Sequence, residues 1–272
     1  QPSTDLQIAK NVRKFEFRGL PWNIHLKRVY GGDEVDIGQY PWLALIEYAK
    51  SRTPMCGGAL ISGNYVLTAA HCILSSSILS AWTTVILGEY DMSHDGPDCV
   101  LLEPGVEDCT TGAIRIGIAK LILHPGFNPA KSQRPNDIGL IKLRRMAPYN
   151  YFILPICLPS ADLTASPPNN LTLYVAGFGA TENSPISNIK MHVGLPFVNM
   201  TLLKTQLCAG GEGDKDSCKG DSGGPLMYEN GRTFELVGVV SMGPLNCGED
   251  NIPGLYTKVF DYLDWIKLNM LP

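Results

Sequence analysis

Eight short runs rich in β-branched and aromatic residues recur along the chain: WLALIEY, GGALIS, YVLTAA, TTVILGEY, DIGLIKL, LYVAGFGA, FELVGVVS and GLYTKV. Gly, Pro, Asn and Asp bound them, and no helical pattern intervenes. Strands at such close spacing predict an all-β chain built as antiparallel barrels or a sandwich. One helix is predicted, in VFDYLDWIKLNM, where Val259, Tyr262, Leu263 and Ile266 share a face. Gly 28 and Pro 20 make up 48 of 272 residues, which suits a loop-rich β protein. A chain of 272 residues can bury a large core as one domain or two small lobes. The proline-rich PSADLTASPPNN, residues 159–170, is a candidate link between lobes.

The net charge of -4, with no block of one sign, argues against a nucleic-acid partner. No apolar run reaches the roughly 18 residues that cross a bilayer, so no membrane span is expected. The first residues lack a basic flank and apolar core. A secreted protein whose signal peptide has been removed has the same appearance. The eight cysteines are Cys56, Cys72, Cys99, Cys109, Cys157, Cys208, Cys218 and Cys247. None forms a Cys-x-x-Cys pair, and His71–Cys72 lacks partners at metal-site spacing, so disulfides in an extracellular setting are expected over zinc. The sequons at Asn170 and Asn199 point the same way. Residues 1–28 have no clear period and read as a tail or pro-segment. Within HLKRVYGGDE, the basic pair Lys27–Arg28 precedes an apolar, glycine-bearing run. It is either solvated charge or a cleavage site that makes Val29 a new N-terminus.

Three stretches carry chemistry: LTAAHC with His71, NDIGLIKL with Asp137, and CKGDSGGPL with Ser222. Attack of a hydroxyl on a carbonyl needs a base, and imidazole titrates near neutral pH. The imidazole needs a buried carboxylate to fix its tautomer and stabilise its charged form. The oxyanion needs backbone N–H donors, and the amides of Gly220 and Ser222 in KGDSGG are placed to supply them. Alone, each residue has a structural explanation: a core histidine, a turn aspartate, a loop serine. Together, in the chain order His, Asp, Ser, they point to a hydrolytic triad.

With these motifs the sequence resembles the chymotrypsin-like serine proteases over residues 29–272. The resemblance implies two six-stranded antiparallel β-barrels, about 29–155 and about 156–272 with a C-terminal α-helix, and an active site in the cleft between them. It implies that residues 1–28 precede an activation site at Arg28–Val29. The freed α-amino group of Val29 would pair with Asp221 and hold the Gly220 loop in its oxyanion-binding form. Asp216 would form the floor of a trypsin-type pocket for Arg or Lys, with Ser217 adding a hydrogen bond and Gly243 and Gly254 leaving the walls open. Met242 stands where the family usually has a large aromatic residue, which implies a softer neighbouring surface. The implied disulfides are Cys56–Cys72, Cys99–Cys109 and Cys218–Cys247.

Cys157 would tie the protease domain to a pro-region, yet residues 1–28 hold no cysteine. The family partner of Cys208 is also absent. Either segments are missing near residues 199–201 and in the pro-region, or Cys157 and Cys208 bond to each other. A join at Met200 makes the Asn199 sequon artificial and leaves Asn170 as the glycan candidate. LGEYDMSHDGPDC offers Glu89, Asp91, Asp95 and Asp98, oxygen ligands suited to structural Ca²⁺, which the family often holds in the matching loop. VYGG, the Cys99–Cys109 loop and SMGP further resemble the insect clip-domain proteases, nearest the prophenoloxidase-activating group. That implies a monomeric haemolymph enzyme of an innate immune cascade. Its implied partners are an upstream activating protease, a protein substrate such as prophenoloxidase, a serpin inhibitor and a protease-homologue cofactor. The competing readings are a clotting or developmental cascade protease, a digestive trypsin, and a non-catalytic homologue acting as a binding cofactor.

Overall fold

The structure is a computed structural model that describes residues 31–48, 54–74, 82–182, 184–200, 203–213, 215–244 and 246–270. Residues 1–28, expected to be a pro-segment, and Val29 lie outside the described residues. Strand β1 (Asp33–Glu34) is followed by β2 (Leu43–Tyr48), β3 (Pro54–Ser62), β4 (Tyr65–Thr68) and, after the helical turn α1 (Ala70–Ile73), β5 (Trp82–Leu87). A separate two-stranded hairpin follows, β6 (Cys99–Glu103) with β7 (Val106–Cys109). Then come β8 (Ile114–Leu123) and β9 (Gly139–Leu143). The order β2-β3-β4-β9-β8-β5 closes an antiparallel barrel.

The second half supplies β10 (Thr172–Gly177), β11 (Met191–Val198), β12 (Gln206–Gly210), β13 (Pro225–Asn230), β14 (Thr233–Met242) and β15 (Pro253–Lys258). The order β11-β10-β13-β14-β15-β12 closes through the pairs Phe197↔Ala209 and Val198↔Cys208. Both implied six-stranded barrels are therefore present. Strand β1 belongs to neither circuit. It pairs with β11, Asp33 opposite His192, so the start of the stretch assigned to the first barrel lies on the edge of the second.

Strand β2 shows why its sequence is continuously apolar. Successive side chains in a strand face opposite sides. Ala44 and Ile46 enter the main core with Leu60, Leu67 and Leu140. Leu43 and Leu45 face the other way, against Ile86 and Phe178. A strand buried on both faces has no solvent face to make polar. The second barrel fills with Leu173, Val175, Leu195, Leu226, Val240 and Tyr256. Full burial of such aliphatic and aromatic side chains contributes roughly 1.5–3 kcal/mol each.

The predicted terminal helix is present but divided. Val259–Tyr262 form a 3₁₀ turn, and α2 (Leu263–Asn269) continues as α-helix. Val259, Tyr262 and Ile266 are buried in the main core, whereas Leu263 is only half-buried. The tighter 3₁₀ turn shifts the apolar face at the helix start. The barrels come backbone to backbone at Gly57 and Gly224, where a Cβ on Gly57 would stand 3.0 Å from the Gly224 Cα.

Candidate active site

The turn α1 places His71 at the end of β4, facing Asp137, which precedes β9. Asp137 is fully buried. Its Oδ1 accepts the His71 backbone N–H at 2.8 Å, and its Oδ2 accepts from His71 Nδ1 at 2.7 Å. An ionised carboxylate only accepts, so the proton sits on Nδ1 and Nε2 is left as the basic nitrogen. Ser241 Oγ donates to the same Oδ2 at 2.6 Å, and Thr257 Oγ1 donates to the Asp137 carbonyl at 2.8 Å. Asp137 is thus anchored from the second barrel while it orients a histidine on the first.

Ser222 is brought to this junction by its backbone. Its carbonyl accepts the Gly57 N–H at 2.8 Å and lies 3.5 Å from Cys72 Sγ, which is 3.7 Å from His71 Nε2. Gly223 has φ 78°, and a Cβ there would collide with Thr68 Oγ1 and the Gly57 carbonyl. Only glycine lets the serine loop press this closely on the first barrel.

The loop before Ser222 wraps the buried Asp221 side chain. Gly179 N–H donates to its Oδ1 and Cys218 N–H to its Oδ2, both at 3.0 Å. Gly220 has φ 104°, and a Cβ on it would lie 2.9 Å from the Gly179 Cα. The Gly220 and Ser222 amides have no acceptor among the described residues. Burial pushes the Asp221 carboxyl up to about 6, against the two amides, and Asp216 adds to the rise. No described lysine or arginine pairs with it.

Asp216 is 1% exposed. Its Oδ2 accepts the Gly248 N–H at 3.3 Å, and its Oδ1 has no hydrogen-bond partner. Burial raises its carboxyl to about 6. Ser217 Oγ is engaged with Tyr256 OH at 2.9 Å. A Cβ on Gly243 would meet only the Ser217 carbonyl, at 3.5 Å, and one on Gly254 would press on the Tyr256 ring at 3.1 Å. A Cβ at Gly243 would otherwise have open space around it. Met242 is half-buried beside it, opposite Leu255. The buried Oδ1 is an orphaned acceptor that a cationic group can satisfy.

The disulfides Cys56–Cys72, Cys99–Cys109 and Cys218–Cys247 are formed. The first occupies both sulfurs beside His71, so no thiolate remains there to hold zinc. Cys157 and Cys208 are unbonded. Cys157 is half-buried beside Glu235, and Cys208 lies in β12 opposite Val198. Burial pushes both thiols up. Of residues 199–201, where a segment was expected to be missing, Thr201 lies outside the described residues.

The acidic loop gathers only partly. Glu89 and buried Asp98 are close enough that Asp98 raises the Glu89 carboxyl, second to burial. Asp98 Oδ1 has no hydrogen-bond partner, with His94 Nε2 at 3.4 Å. Asp91 instead accepts the Ser93 N–H at 2.9 Å, and Asp95, 92% exposed, faces Arg115 at 3.6 Å. Among the described residues the four acids do not converge on one point. Buried Lys190 acts on both Glu89 and Asp98, and Asp91 and Asp95 do not join them in this geometry. Asn170 is exposed, in a turn with φ 56°.

Two six-stranded barrels with a His–Asp pair and a serine loop at their junction define the chymotrypsin-like class. The trypsin family model matches residues 29–266, and the chain belongs to that family of serine proteases. It is 48% identical over 270 residues to a phenoloxidase-activating enzyme of Bombyx mori, covering 90% of this chain and 61% of the relative. It is 42% identical to melanization protease 1 of Drosophila melanogaster, covering 89% of this chain and 66% of that one. The chain thus spans about two thirds or less of these relatives' lengths. Among solved structures, the Drosophila Grass clip serine protease of the Toll pathway matches with a TM-score of 0.75 and 33% identity, over 96% of this chain and 78% of that one.

Proposed function

We propose that the chain is the zymogen of a secreted serine endopeptidase that cleaves after Arg, and after Lys. The observation that carries this reading is the 2.7 Å bond from His71 Nδ1 to buried Asp137, beside the Ser222 loop. His71 Nε2 takes the Ser222 proton as the hydroxyl attacks the substrate carbonyl. The Gly220 and Ser222 amides receive the oxyanion. His71 then protonates the leaving amine, and water releases the acyl group by the same steps in reverse. The unpartnered Asp216 oxygen supports a pocket for a guanidinium or ammonium.

Activation is cleavage of Arg28–Val29, and the family match begins at Val29. The new α-amino group pairs with Asp221, a buried carboxylate with only amide partners in the described structure. Glu89 and Asp98 hold structural Ca²⁺, and Asn170 carries a glycan. The relatives named for phenoloxidase activation and melanization support a role in a haemolymph immune cascade. Prophenoloxidase is the proposed substrate class, an upstream protease the activator and a serpin the inhibitor.

The test is hydrolysis of an Arg peptide before and after limited cleavage at Arg28, with mass spectrometry confirming Val29 as the new terminus. Silence before and turnover after are expected. Verified cleavage without turnover on Arg or Lys peptides would overturn the reading.

A further inference from the structure

The loop that covers Asp221 also holds the start of the described chain. Gly179 donates its N–H to Asp221 Oδ1 at 3.0 Å, and Ala180 donates to the Lys219 carbonyl at 2.8 Å. A little further along the same loop, Glu182 Oε1 accepts the Gly31 N–H at 2.7 Å. One short stretch, residues 179–182, therefore touches both the buried carboxylate and the segment that follows Val29.

Glu182 is exposed, but the loop that carries it is braced from within. Thr181 N–H donates to the Ser184 carbonyl at 2.8 Å, and Ser184 N–H donates back to Thr181 Oγ1 at 3.1 Å. Ser184 Oγ donates to the Ile186 carbonyl at 2.6 Å, and Ser187 N–H is shared between the Phe178 and Gly179 carbonyls. No lysine or arginine among the described residues lies within ion-pair distance of Glu182. Its carboxylate is directed instead at a backbone amide, and such a bond is stronger than one between neutral groups.

The next anchor along the chain is β1, where Asp33 pairs with His192, and Val35 N–H donates to the Lys190 carbonyl at 3.2 Å. Gly31 and Gly32 lie between that anchor and Val29, and Gly31 has φ 67°. Adjacent glycines give a chain many backbone states, and each ordered residue has an entropic cost. With β1 as its only anchor, a cut chain must order all of residues 29–32 before its amine has a fixed place. With Gly31 held as well, only residues 29 and 30 remain. At about 3.3–3.6 Å per residue, the amine then stays within about 7 Å of the Gly31 nitrogen, beside the loop that caps Asp221.

We propose that Glu182 is a positioning residue for activation: it docks the new N-terminal segment at Gly31, so that the Val29 amine is delivered to Asp221. This rests on the reading that cleavage at Arg28 creates a Val29–Asp221 pair, and it adds the residue that guides the pairing.

The experiment treats the protein cleaved at Arg28 with cyanate, which carbamylates accessible amines, and follows Val29 by mass spectrometry. The lysines of the same digest and a free Val-Tyr-Gly-Gly peptide serve as references. In the parent, Val29 should react more slowly than the peptide. In Glu182→Ala its rate should rise about tenfold, the scale of one lost charge-assisted bond, while the lysines react as before. Glu182→Gln keeps an acceptor oxygen and should recover most of the protection. Loss of Arg-peptide turnover under cyanate should follow the same order. A Val29 rate in Glu182→Ala equal to the parent's, or a rise shared by the lysines, overturns the proposal and leaves the Val29–Asp221 pair standing. A parent Val29 that reacts as fast as the free peptide removes that pair and this proposal with it.

Discussion

Ser241 donates its hydroxyl to Asp137 Oδ2 at 2.6 Å, the same oxygen that accepts from His71 Nδ1. One carboxylate oxygen, fully buried, is thus fixed by a residue from each barrel. Ser241→Ala removes the donor from the second barrel and leaves the oxygen with His71 alone. A lost bond to a charged acceptor costs about 1.5–3 kcal/mol. The activated enzyme should lose roughly tenfold or more in kcat, with KM for an Arg peptide little changed, because His71 is misoriented while the Asp216 pocket is untouched. Steady-state kinetics separate the two parameters. A rise in KM at constant kcat would place Ser241 in binding instead.

Asp216→Ser tests the pocket floor from two directions. Without the carboxylate, kcat/KM for Arg peptides should fall by at least about a hundredfold, the scale of a lost charge-assisted pair. The free protein should be equally or more stable at pH 7.5, because an unpartnered buried oxygen has been removed. Unchanged Arg selectivity, or a large loss of stability with the fold intact, would count against the assignment.

Asp221 should leave a signature in the pH dependence of stability. Burial holds its carboxyl at about 6, above the unfolded value near 3.8. Between these values the folded chain keeps a proton that the unfolded chain has lost. The contribution to stability therefore falls as pH rises through that window and is constant above it. Asp216 acts in the same direction. In the uncut chain, urea midpoints should decline from about pH 4 to 6 more steeply than in Asp221→Asn. Cleavage at Arg28 in a Ser222→Ala background should weaken that decline, since a paired amine favours the charged carboxylate. Identical pH profiles for cut and uncut protein would argue against the Val29–Asp221 pair.

The calcium proposal rests on two carboxylates. If Glu89 and Asp98 bind the ion, millimolar Ca²⁺ should raise Tm relative to a chelated sample, and Mg²⁺ should do so less. Glu89→Gln should abolish the shift, while Asp95→Asn should keep it, because Asp95 faces solvent against Arg115. Equal Tm with calcium and chelator would remove the site.

The sequence made the chemistry more legible than the scaffold. Each member of the proposed triad sits in a local motif that can be read within a few residues. The residues that hold those members are distant. Ser241 and Thr257 reach Asp137 across 104 and 120 positions, and Gly179 reaches Asp221 across 42, so no local pattern announces them. Eight of the twelve barrel strands appear as apolar runs, and β8, β11, β12 and β13 do not. β11 contains Gly194 and Pro196, which read as turn residues. Gly194 is small because a Cβ there would press on Thr172 and Tyr174 of β10. β12 is five residues, QLCAG, and β8 mixes half-buried and exposed positions around a register shift. Asp91 and Asp95 looked like ligands by composition, but Ser93 and Arg115 engage them instead.

Gly223→Ala is the sharpest test of how the barrels are joined. The residue has φ 78°, and its added methyl would run into Thr68 Oγ1 and the Gly57 carbonyl. Those two atoms are already bonded to each other at 2.7 Å, so neither can yield without breaking a buried hydrogen bond. The serine loop must then lift from the first barrel, which lengthens the Gly57 N–H bond to the Ser222 carbonyl, now 2.8 Å. Backbone strain of this kind costs on the order of 1–3 kcal/mol, so the protein should still fold but with a lower Tm. Activity should fall by about a hundredfold or more, since a displacement near 1 Å of a reacting group has that effect. Circular dichroism and peptide turnover on the same sample decide the matter. A variant that folds and turns over at the parent rate would show that the close contact at Gly223 does not set the position of Ser222.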